Sequence, residues 1–468
     1  MKEDEDDFLS HNSDIQSMVD RFEQMLNKNE VGFFDVHAFE DIIDNLIDKK
    51  NISKALKAAQ IAFQQHPYSI VFLIRQAQLQ AASNQIQKSL ELLSKAETFE
   101  PHNPEILMTR GNIYSQINDF DNAIKSYKNA LKCSDDKDEI FMNIAFEYEN
   151  KGDYNSAIEY LKKSLDENPE NEYALYELAF CFDIAEKTED SIAYYNHFIN
   201  ENPYSPSAWY NLGISYNKLG LFEKAIDAYD YAIVIQEDFS SAYFNKANSL
   251  ANLEQYELAI LTYKETFQFE QADATSYYYI GECYEKLEDY QNAMVYYNKS
   301  IKTDKNYADA YVGMAVVLDY ENRLTEGIHY LKKGLELDNV NPDYWYIFGE
   351  IQQKLGFYEE AELAYQKVVE YDANNSEVWL DYSNLFYEQA NEIETFSIIN
   401  EAINRFPTNA MLHYRLAAYN FIFGYVAEAT KDLENALSLD YSKHDTLFEF
   451  EPKLKNNILI LQLIESYK

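Results

Sequence analysis

Small side chains recur at two fixed places in every 34 residues of this sequence, and this period constrains the fold more than any other feature. With position 1 set at residue 36 and at every 34th residue up to 410, eleven of the twelve residues at position 8 are Gly, Ala or Ser. All twelve at position 20 are Gly, Ala, Ser or Thr. The period runs from 36 to 443 without an insertion or deletion. A fixed period of this length is the signature of a repeat architecture.

Each repeat is predicted to form two amphipathic helices joined by a turn. Residues 208–218 and 222–235 carry apolar residues at i, i+3, i+4 and i+7, and Gly220 lies between them as a turn former. Three other repeats have a glycine at the same place: Gly152, Gly356 and Gly424. Small residues at positions 8 and 20 let the paired backbones approach closely, and aromatic residues at positions 4, 11 and 24 fill the space around them. One pair cannot bury its apolar face alone, so neighbouring pairs are expected to stack.

The repeat resembles the tetratricopeptide repeat (TPR), whose signature is W-x2-L-G-x2-Y followed by A-x3-F, A and P. The residues of repeat 206–239 that match it are Trp209, Leu212, Gly213, Tyr216, Ala225, Tyr229 and Ala232. Five repeats carry the closing proline, at Pro67, Pro101, Pro169, Pro203 and Pro407. The resemblance implies an all-α protein, a right-handed α-solenoid of twelve 34-residue helix pairs over residues 36–443. The first pair departs from the pattern, because Ile43 stands where a small residue is expected.

The segments outside the repeats are predicted to cap the solenoid. Residues 1–12 are acidic and predicted to be disordered, and 13–35 are predicted to form an N-terminal capping helix that starts at an S-x-x-Q capping box on Ser13. Residues 444–468 are predicted to form one C-terminal capping helix with Pro452 in its first turn. Its apolar residues exceed what a cap needs. Two interpretations therefore stay open, a simple cap and an additional homodimer or partner contact through 452–468.

The charge and cysteine content exclude several classes of protein. Lys and Arg number 39 against 80 Asp and Glu, a net charge of −41, which disfavours binding to DNA or RNA. The acidity either attracts basic partners or only solvates the outer faces. The three cysteines are far apart, which disfavours a disulfide framework or a zinc site. The chain does not begin with the basic and apolar leader of a secretory signal. No run of 18 apolar residues occurs that could span a membrane. We expect a cytoplasmic protein without a membrane span.

No catalytic, phosphate-binding or metal-binding motif is present. The eight histidines are scattered, and no G-x-S-x-G, P-loop or HExxH pattern occurs. The sequence therefore predicts no enzyme activity, no cofactor and no metal site.

The TPR resemblance implies that the first helix of each pair lines a concave groove through positions 2, 5, 9, 12 and 13, with position 6 at its border. Position 5 is apolar or aromatic in every repeat from Met108 to Tyr278. The candidate peptide-binding residues are Tyr176, Phe180, Tyr210, Asn211, Ile214, Phe244, Asn245, Asn248, Tyr278, Glu282, Asp309 and Tyr346. Lysine is absent from position 5, so the clamp by which some TPR domains hold acidic C-terminal tails does not carry over.

These candidates suggest a non-catalytic scaffold or adaptor that binds extended, partly basic protein segments. Asparagine amides can bond to a peptide backbone while aromatic rings cover its side chains. Ten groove positions in repeats eight to eleven comprise eight carboxylates and two lysines, a net charge of −6. Tyrosine is frequent throughout, 41 of 468 residues, so packing between helices is the alternative explanation of the aromatic positions. The alternative function is a regulatory or assembly subunit docked through the apolar C-terminal helix.

Overall fold

The computed structural model describes residues 2–28 and 32–468, with side chains from Ile15 onward. Within these residues the chain is helical apart from turns and short connections, and it contains no strand. Twenty-four helices form twelve pairs in chain order: α2 Val36–Asp48 and α3 Ile52–Gln65, α4 Val71–Ala82 and α5 Ile86–Phe99, α6 Pro104–Gln116 and α7 Phe120–Ala130, α8 Asp138–Asn150 and α9 Tyr154–Glu167, α10 Glu172–Ile184 and α11 Thr188–Glu201, α12 Pro206–Lys218 and α13 Phe222–Ile235, α14 Ser240–Asn252 and α15 Tyr256–Glu265, α16 Ala274–Lys286 and α17 Tyr290–Thr303, α18 Ala308–Tyr320 and α19 Leu324–Leu337, α20 Pro342–Leu355 and α21 Tyr358–Tyr371, α22 Val378–Glu388 and α23 Glu392–Arg405, and α24 Ala410–Phe423 and α25 Val426–Leu439. Short 3₁₀ helices follow α15 and α25, at Thr266–Gln268 and Tyr441–Lys443.

The helix pairs keep the 34-residue register of the sequence. All twelve second helices begin at repeat position 17, and ten of the twelve first helices begin at position 1. Each first helix packs against its own second helix, and most pack against the second helix of the preceding pair. The predicted fold class, an all-α solenoid of stacked helix pairs, is confirmed.

The chain divides into two compact bodies, Met1–Glu237 and Asp238–Lys468, called here the N-terminal and C-terminal bodies. The N-terminal body contains the pairs from α2/α3 to α12/α13. The C-terminal body contains the pairs from α14/α15 to α24/α25 and the helices that follow them.

The N-terminal helix is longer than the sequence predicts. Helix α1 spans Lys2–Lys28, so it includes residues 2–12, which were expected to be disordered, and Ser13 lies inside the helix rather than at its N-cap. An acidic run at a helix N-terminus is favourable because it opposes the positive end of the helix dipole. The apolar side of α1 packs on the first pair, where the Phe22 and Phe39 ring centroids are 6.3 Å apart. Residues 29–31 of the predicted cap lie outside the described residues.

The C-terminal segment forms three short helices instead of the single predicted one. They are α26 Thr446–Phe450, a 3₁₀ helix at Pro452–Asn456 and α27 Ile458–Ser466. Asn457 is extended and its side chain accepts a hydrogen bond from the backbone N–H of Leu459, so it ends one helix and caps the next. Leu447, Ile460 and Ile464 are buried with residues of α24 and α25.

Side-chain size is matched between positions 8 and 24 in most pairs, although Ala179 with Tyr195 and Ala247 with Tyr263 combine alanine with tyrosine. The four glycines at position 8 all face a tyrosine at position 24, namely Gly111 with Tyr127, Gly213 with Tyr229, Gly281 with Tyr297 and Gly349 with Tyr365. A Cβ on Gly213 would lie 2.5 Å from Cε1 of Tyr229. All four leucines at position 24 stand in repeats with alanine at position 8. In the first repeat the sizes are exchanged, with Ile43 and Ala59 both fully buried. This exchange explains why Ile43 does not disturb the first pair.

The turn inside every pair holds one residue in the left-handed conformation, always at position 15. Four are the glycines predicted as turn formers, with φ between 70° and 89°. The other eight, with φ between 54° and 59°, are Lys50, Asn84, Asn118, Glu186, Glu254, Glu288, Asn322 and Ala390. A side chain with a Cβ is strained in this region by about 1–2 kcal/mol.

Ala390→Gly is therefore expected to raise the free energy of unfolding by about 1 kcal/mol, because it relieves the left-handed strain without changing the charge. The control is Ala193→Gly, at an exposed position inside helix α11, where glycine should cost about 1 kcal/mol. Urea denaturation followed by far-UV circular dichroism compares the two. Destabilisation by both variants would show that the turn gains nothing from glycine.

Candidate functional site

The first helices of the pairs present one solvent-facing side, called here the first-helix surface of each body. In the N-terminal body this surface carries a line of large apolar side chains on α10, the α10 stripe, which consists of Tyr173, Tyr176, Phe180 and Ile184. Their exposed fractions are 58%, 67%, 44% and 47%. Phe146 of α8 and Ile214 of α12 are exposed at position 9, the same repeat position as Phe180. Exposed apolar residues grouped in this way mark interaction sites more often than those scattered singly.

The opposite side of α10 is already part of the core. Leu175, Leu178, Cys181 and Phe182 are buried there, in a cluster that extends into α9, α11 and α12. The fold therefore positions the α10 stripe rigidly, because the helix that bears it is anchored from behind.

Negative charge surrounds the α10 stripe. Burial, followed by the charge of Glu177, raises the pKa of Glu149 on α8, although the Cys181 thiol bonds to the Glu149 carboxylate at 3.4 Å and partly opposes the shift. A hydrogen bond to Glu177 raises the pKa of Tyr173. The ammonium group of Lys218 on α12 is paired with Asp183. The carboxylates near the stripe thus exceed the bases available to neutralise them.

The structure separates the predicted residues of this body into two groups. Tyr176, Phe180 and Ile214 are exposed, as a binding surface requires. Tyr210 is half-buried, with its ring centroid 5.9 Å from that of Tyr229. Asn211 is buried, and its amide nitrogen donates to the carbonyl of Leu175 and the hydroxyl of Tyr195 at 3.2 and 3.3 Å. We leave Asn211 out of the proposed surface because its donors are engaged inside the protein.

In the C-terminal body the predicted residues Phe244, Asn245 and Asn248 lie half-buried on α14. The ring of Phe244 contacts the ring of Tyr263 at a centroid distance of 5.4 Å. The Tyr263 hydroxyl donates to Oδ1 of Asn248, which fixes the amide so that its Nδ2 remains to donate elsewhere. An oriented amide beside an aromatic ring is suited to a peptide backbone.

Helices α16 and α18 add an aromatic and acidic patch. The Tyr278 ring contacts those of Tyr279 and Tyr307, with centroids 5.4 and 5.6 Å apart. Burial raises the pKa of the half-buried Glu282, and the charges of Glu285 and Asp309 raise it further against the opposing charge of Lys286. Asp309 accepts a hydrogen bond from the hydroxyl of Tyr344 at 2.5 Å.

The last predicted residue, Tyr346 of α20, donates its hydroxyl to Asp381 at 2.5 Å. Beside it lies an open cavity of about 380 Å³, lined by Glu350, Gln353, Lys354, Tyr365, Asp381 and Glu388. Burial raises the pKa of Glu350, and Lys354 opposes that shift while the carboxylates Asp381 and Asp319 add to it. Lys354 also pairs with Asp319 at 2.5 Å. Part of the negative charge that was expected to attract a basic ligand is therefore neutralised within the protein.

The sequence did not reveal the role of the position 24 hydroxyls. Four buried tyrosines donate to side chains at position 9 or 12 of the first helix: Tyr127 to Asn112, Tyr263 to Asn248, Tyr297 to Glu285 and Tyr365 to Gln353. The coincidence of tyrosine at 24 with a polar residue at 9 or 12 was the available signal. Phe146 and Tyr173 were also missed, although both occupy groove positions.

No group of three or more His, Cys, Asp or Glu in the described part of the chain is placed to hold a metal ion. Among the same residues, no helix has the length and apolar character needed to cross a bilayer.

Stacked pairs of short helices with small residues at fixed contacts define a helical repeat protein of the solenoid class. Models of the tetratricopeptide repeat match residues 206–239 and 244–310. The chain is a tetratricopeptide repeat protein, as the sequence predicted. Two further models match, one of subunit 3 of the anaphase-promoting complex, or cyclosome, at 288–368 and one of a domain of unknown function at 109–200. The TPR is in general a non-catalytic protein-interaction fold, and the matches place this chain among interaction scaffolds or subunits of complexes.

Several solved TPR structures are similar to this chain at low sequence identity. YrrB, described as a TPR protein with an unusual peptide-binding site, is 20% identical over 39% of this chain and 93% of its own, with a TM-score of 0.32. A TPR protein from Parabacteroides merdae is 16% identical over 53% and 98%, with a TM-score of 0.44. The APC/C hetero-tetramer Cut9-Hcn1 is 14% identical over 92% and 89%, with a TM-score of 0.42. A comparison with curated proteins finds no significant match.

Proposed function

We propose that this protein is a non-catalytic scaffold whose C-terminal body binds extended, partly basic segments of other proteins on its first-helix surface. The observation that carries the proposal is the neighbourhood of Tyr278, where aromatic rings adjoin the half-buried carboxylates Glu282 and Glu285. Burial raises the pKa of both carboxyl groups, opposed at Glu285 by a hydrogen bond from the Tyr297 hydroxyl and at both by the charge of Lys286. A lysine or arginine side chain of a partner would relieve this repulsion and lie against the rings.

The extended form of the ligand is favoured by the amide of Asn248. Its orientation is set by the Tyr263 hydroxyl, so the free Nδ2 can donate to a peptide carbonyl without first reorganising. In an extended chain, alternate side chains face the surface while the backbone remains available for such bonds.

The test uses a short synthetic peptide of alternating lysine and leucine, labelled for fluorescence anisotropy. We expect the variant Tyr278→Ala/Glu282→Gln to weaken binding of this peptide by about tenfold or more, since it removes one ring and one charge. The matched control is Leu363→Ala/Glu360→Gln, at exposed positions of α21 in the same body, which should stay within about twofold of the wild type.

An equal loss of peptide affinity in both variants would mean that binding depends only on the net charge of the protein, and the proposed surface would be wrong. Circular dichroism of each variant confirms that helicity is retained. Binding should also weaken as the pH falls, because protonated Glu282 no longer attracts a cation.

The alternative function, a complex subunit docked through its C-terminal helix, has support in α27. Ile458, Leu459 and Leu461 are exposed there while Ile460 and Ile464 anchor the helix. A homodimer through 452–468 and a cytoplasmic location stay predictions. Sedimentation analysis of the wild type and of Ile458→Ser/Leu461→Ser tests the dimer. A dimer through this segment requires that the wild type sediments as a larger species and that the variant does not.

A further inference from the structure

Three lysines at repeat position 25 lie over pairs of aromatic rings of the next repeat. One ring of each pair is at position 11 and the other at position 23, and the distances from Nζ to the ring centroids are between 4.9 and 5.4 Å. The three sites are Lys128 over Tyr148 and Tyr160, Lys162 over Phe182 and Tyr194, and Lys264 over Tyr284 and Tyr296. The lysines belong to second helices, so they are not part of the first-helix surface.

A tyrosine at position 11 gives the lysine ammonium group a hydrogen-bond acceptor. Lys128 donates to the Tyr148 hydroxyl at 2.9 Å, and Lys264 donates to the Tyr284 hydroxyl at 3.2 Å. Burial lowers the pKa of both lysines, but their hydrogen bonds to tyrosine hydroxyls outweigh this effect and raise the pKa above the ordinary value. These two lysines are therefore held in the charged form.

Lys162 lacks this acceptor because residue 182 is a phenylalanine. The other ring residue does not replace it, since the buried hydroxyl of Tyr194 has no hydrogen-bond partner among the described residues. The side chain of Lys162 is half-buried between the rings. Its ammonium group is thus partly removed from water without the hydrogen bond that Lys128 and Lys264 form. A lysine desolvated beside apolar groups is activated as a nucleophile, because the neutral amine becomes easier to form.

The charged groups around Lys162 do not reverse the effect of burial. Burial is the largest cause and lowers the pKa of Lys162, and the charge of Asp190 on α11 opposes it. Lys187, just before α11, lowers the pKa further. Glu159 and Asp166 on α9 raise it again. The net direction is downward, opposite to that at the other two lysines.

We propose that Lys162 is a site of covalent N-acylation by acyl thioesters. The neutral amine attacks the carbonyl carbon of the thioester, so a C–N bond forms and the C–S bond breaks. The nitrogen loses one proton and the departing thiolate takes up one proton, which leaves an N-acyl lysine and a free thiol. The amide carries no charge, so acylation removes the cost of desolvating an ammonium group. The proposal goes beyond the proposed peptide binding and does not depend on it.

The test measures acetylation of the full-length protein by acetyl coenzyme A, with initial rates at each lysine read by peptide mass spectrometry. Fragment ions separate Lys162 from its neighbour Lys163. At about pH 7.5 we expect Lys162 to react about threefold or more faster than Lys128 and Lys264, because the hydrogen bond that favours the charged form is missing. The ratio of these rates should shrink toward about pH 10, where all three amines become neutral.

Two reciprocal variants move a single hydroxyl between the sites. Phe182→Tyr supplies the missing acceptor and should slow acetylation of Lys162 to within about twofold of that of Lys128. Tyr148→Phe removes the acceptor of Lys128 and should accelerate its acetylation by about threefold. The matched control is Tyr284→Phe, the same change in the other body, which should leave the rates of Lys162 and Lys128 within about twofold of the wild type.

Three results would overturn the proposal. The first is acetylation of Lys162 no faster than that of Lys128, and the second is an unchanged rate of Lys162 in a folded Phe182→Tyr variant. The third is a rate ratio that stays constant with pH, which would mean that accessibility alone sets the rates. If circular dichroism shows that Phe182→Tyr does not fold, Tyr148→Phe decides, since an unchanged rate of Lys128 would contradict control by the hydroxyl. Failure of the proposed function is read separately, from peptide binding.

Discussion

Gly281→Ala is expected to lower the free energy of unfolding by about 1–3 kcal/mol, although alanine is the better helix former by about 1 kcal/mol. The ring of Tyr297 lies against Gly281 on one side, where a Cβ would be 2.8 Å from Cδ1. On its other side it lies against Gly313 of the next repeat, where a Cβ would be 2.5 Å from Cζ. The Tyr297 hydroxyl is held by Glu285 at 2.6 Å, so the ring cannot move away.

A second substitution tests the cause of this destabilisation. Tyr297→Leu in the Gly281→Ala background recreates the pair Ala315 and Leu331, which packs in the following repeat. We expect the double variant to be more stable than the sum of the single effects predicts, by about 1 kcal/mol or more. Urea denaturation of the wild type, the two single variants and the double variant gives the four free energies of unfolding that a double-mutant cycle needs. Additive effects, or a stabilising Gly281→Ala, would contradict the size matching between positions 8 and 24.

Glu147→Gln is expected to raise the free energy of unfolding by about 1–3 kcal/mol at pH 8, and the gain should shrink as the pH is lowered. Glu147 of α8 is 1% exposed and its Oε2 atom has no hydrogen-bond partner. Burial raises the pKa of Glu147, partly opposed by a hydrogen bond from Ser115. At pH 8 the buried carboxylate is charged and only partly satisfied, while the amide of glutamine is neutral.

The sign follows from proton linkage. Since the folded pKa is raised, the folded state holds the proton more tightly than the unfolded chain, so the wild type gains stability as the pH falls through the raised pKa to the ordinary value. The glutamine variant lacks this gain, so the stabilities of the two proteins should converge as the pH falls toward the ordinary pKa of a glutamate. Glu170→Gln, at an exposed position, is the control for loss of one negative charge. A pH-independent difference, or destabilisation by Glu147→Gln, would show that the carboxylate is paired.

The candidate surfaces could be predicted only in part, because repeat position fixes the side of a helix but not what a neighbour does to a side chain. Tyr176 and Phe180 are exposed as their positions 5 and 9 predict. Asn211 at position 6 is not available, since the carbonyl of Leu175 and the hydroxyl of Tyr195 engage its donors. Lys354 and Asp319 occupy groove positions 13 and 12, yet they neutralise each other across neighbouring repeats. Which polar groups remain available to a ligand depends on the distances between side chains of neighbouring helices, and the sequence period does not specify these distances.

The sequence by itself determined the repeat, its register and the stacking of helix pairs, because side-chain size and apolar period act locally and recur every 34 residues. It could not determine the ends, where no repeat constrains the chain: α1 extends to Lys2, and residues 444–468 form three helices. The tertiary structure alone decided that eight non-glycine residues take the left-handed turn and that position 24 tyrosines bond to groove side chains. It also left α10 apolar on its exposed side. These features arise from contacts between separate helices, and their energies exceed the local preferences of the residues involved.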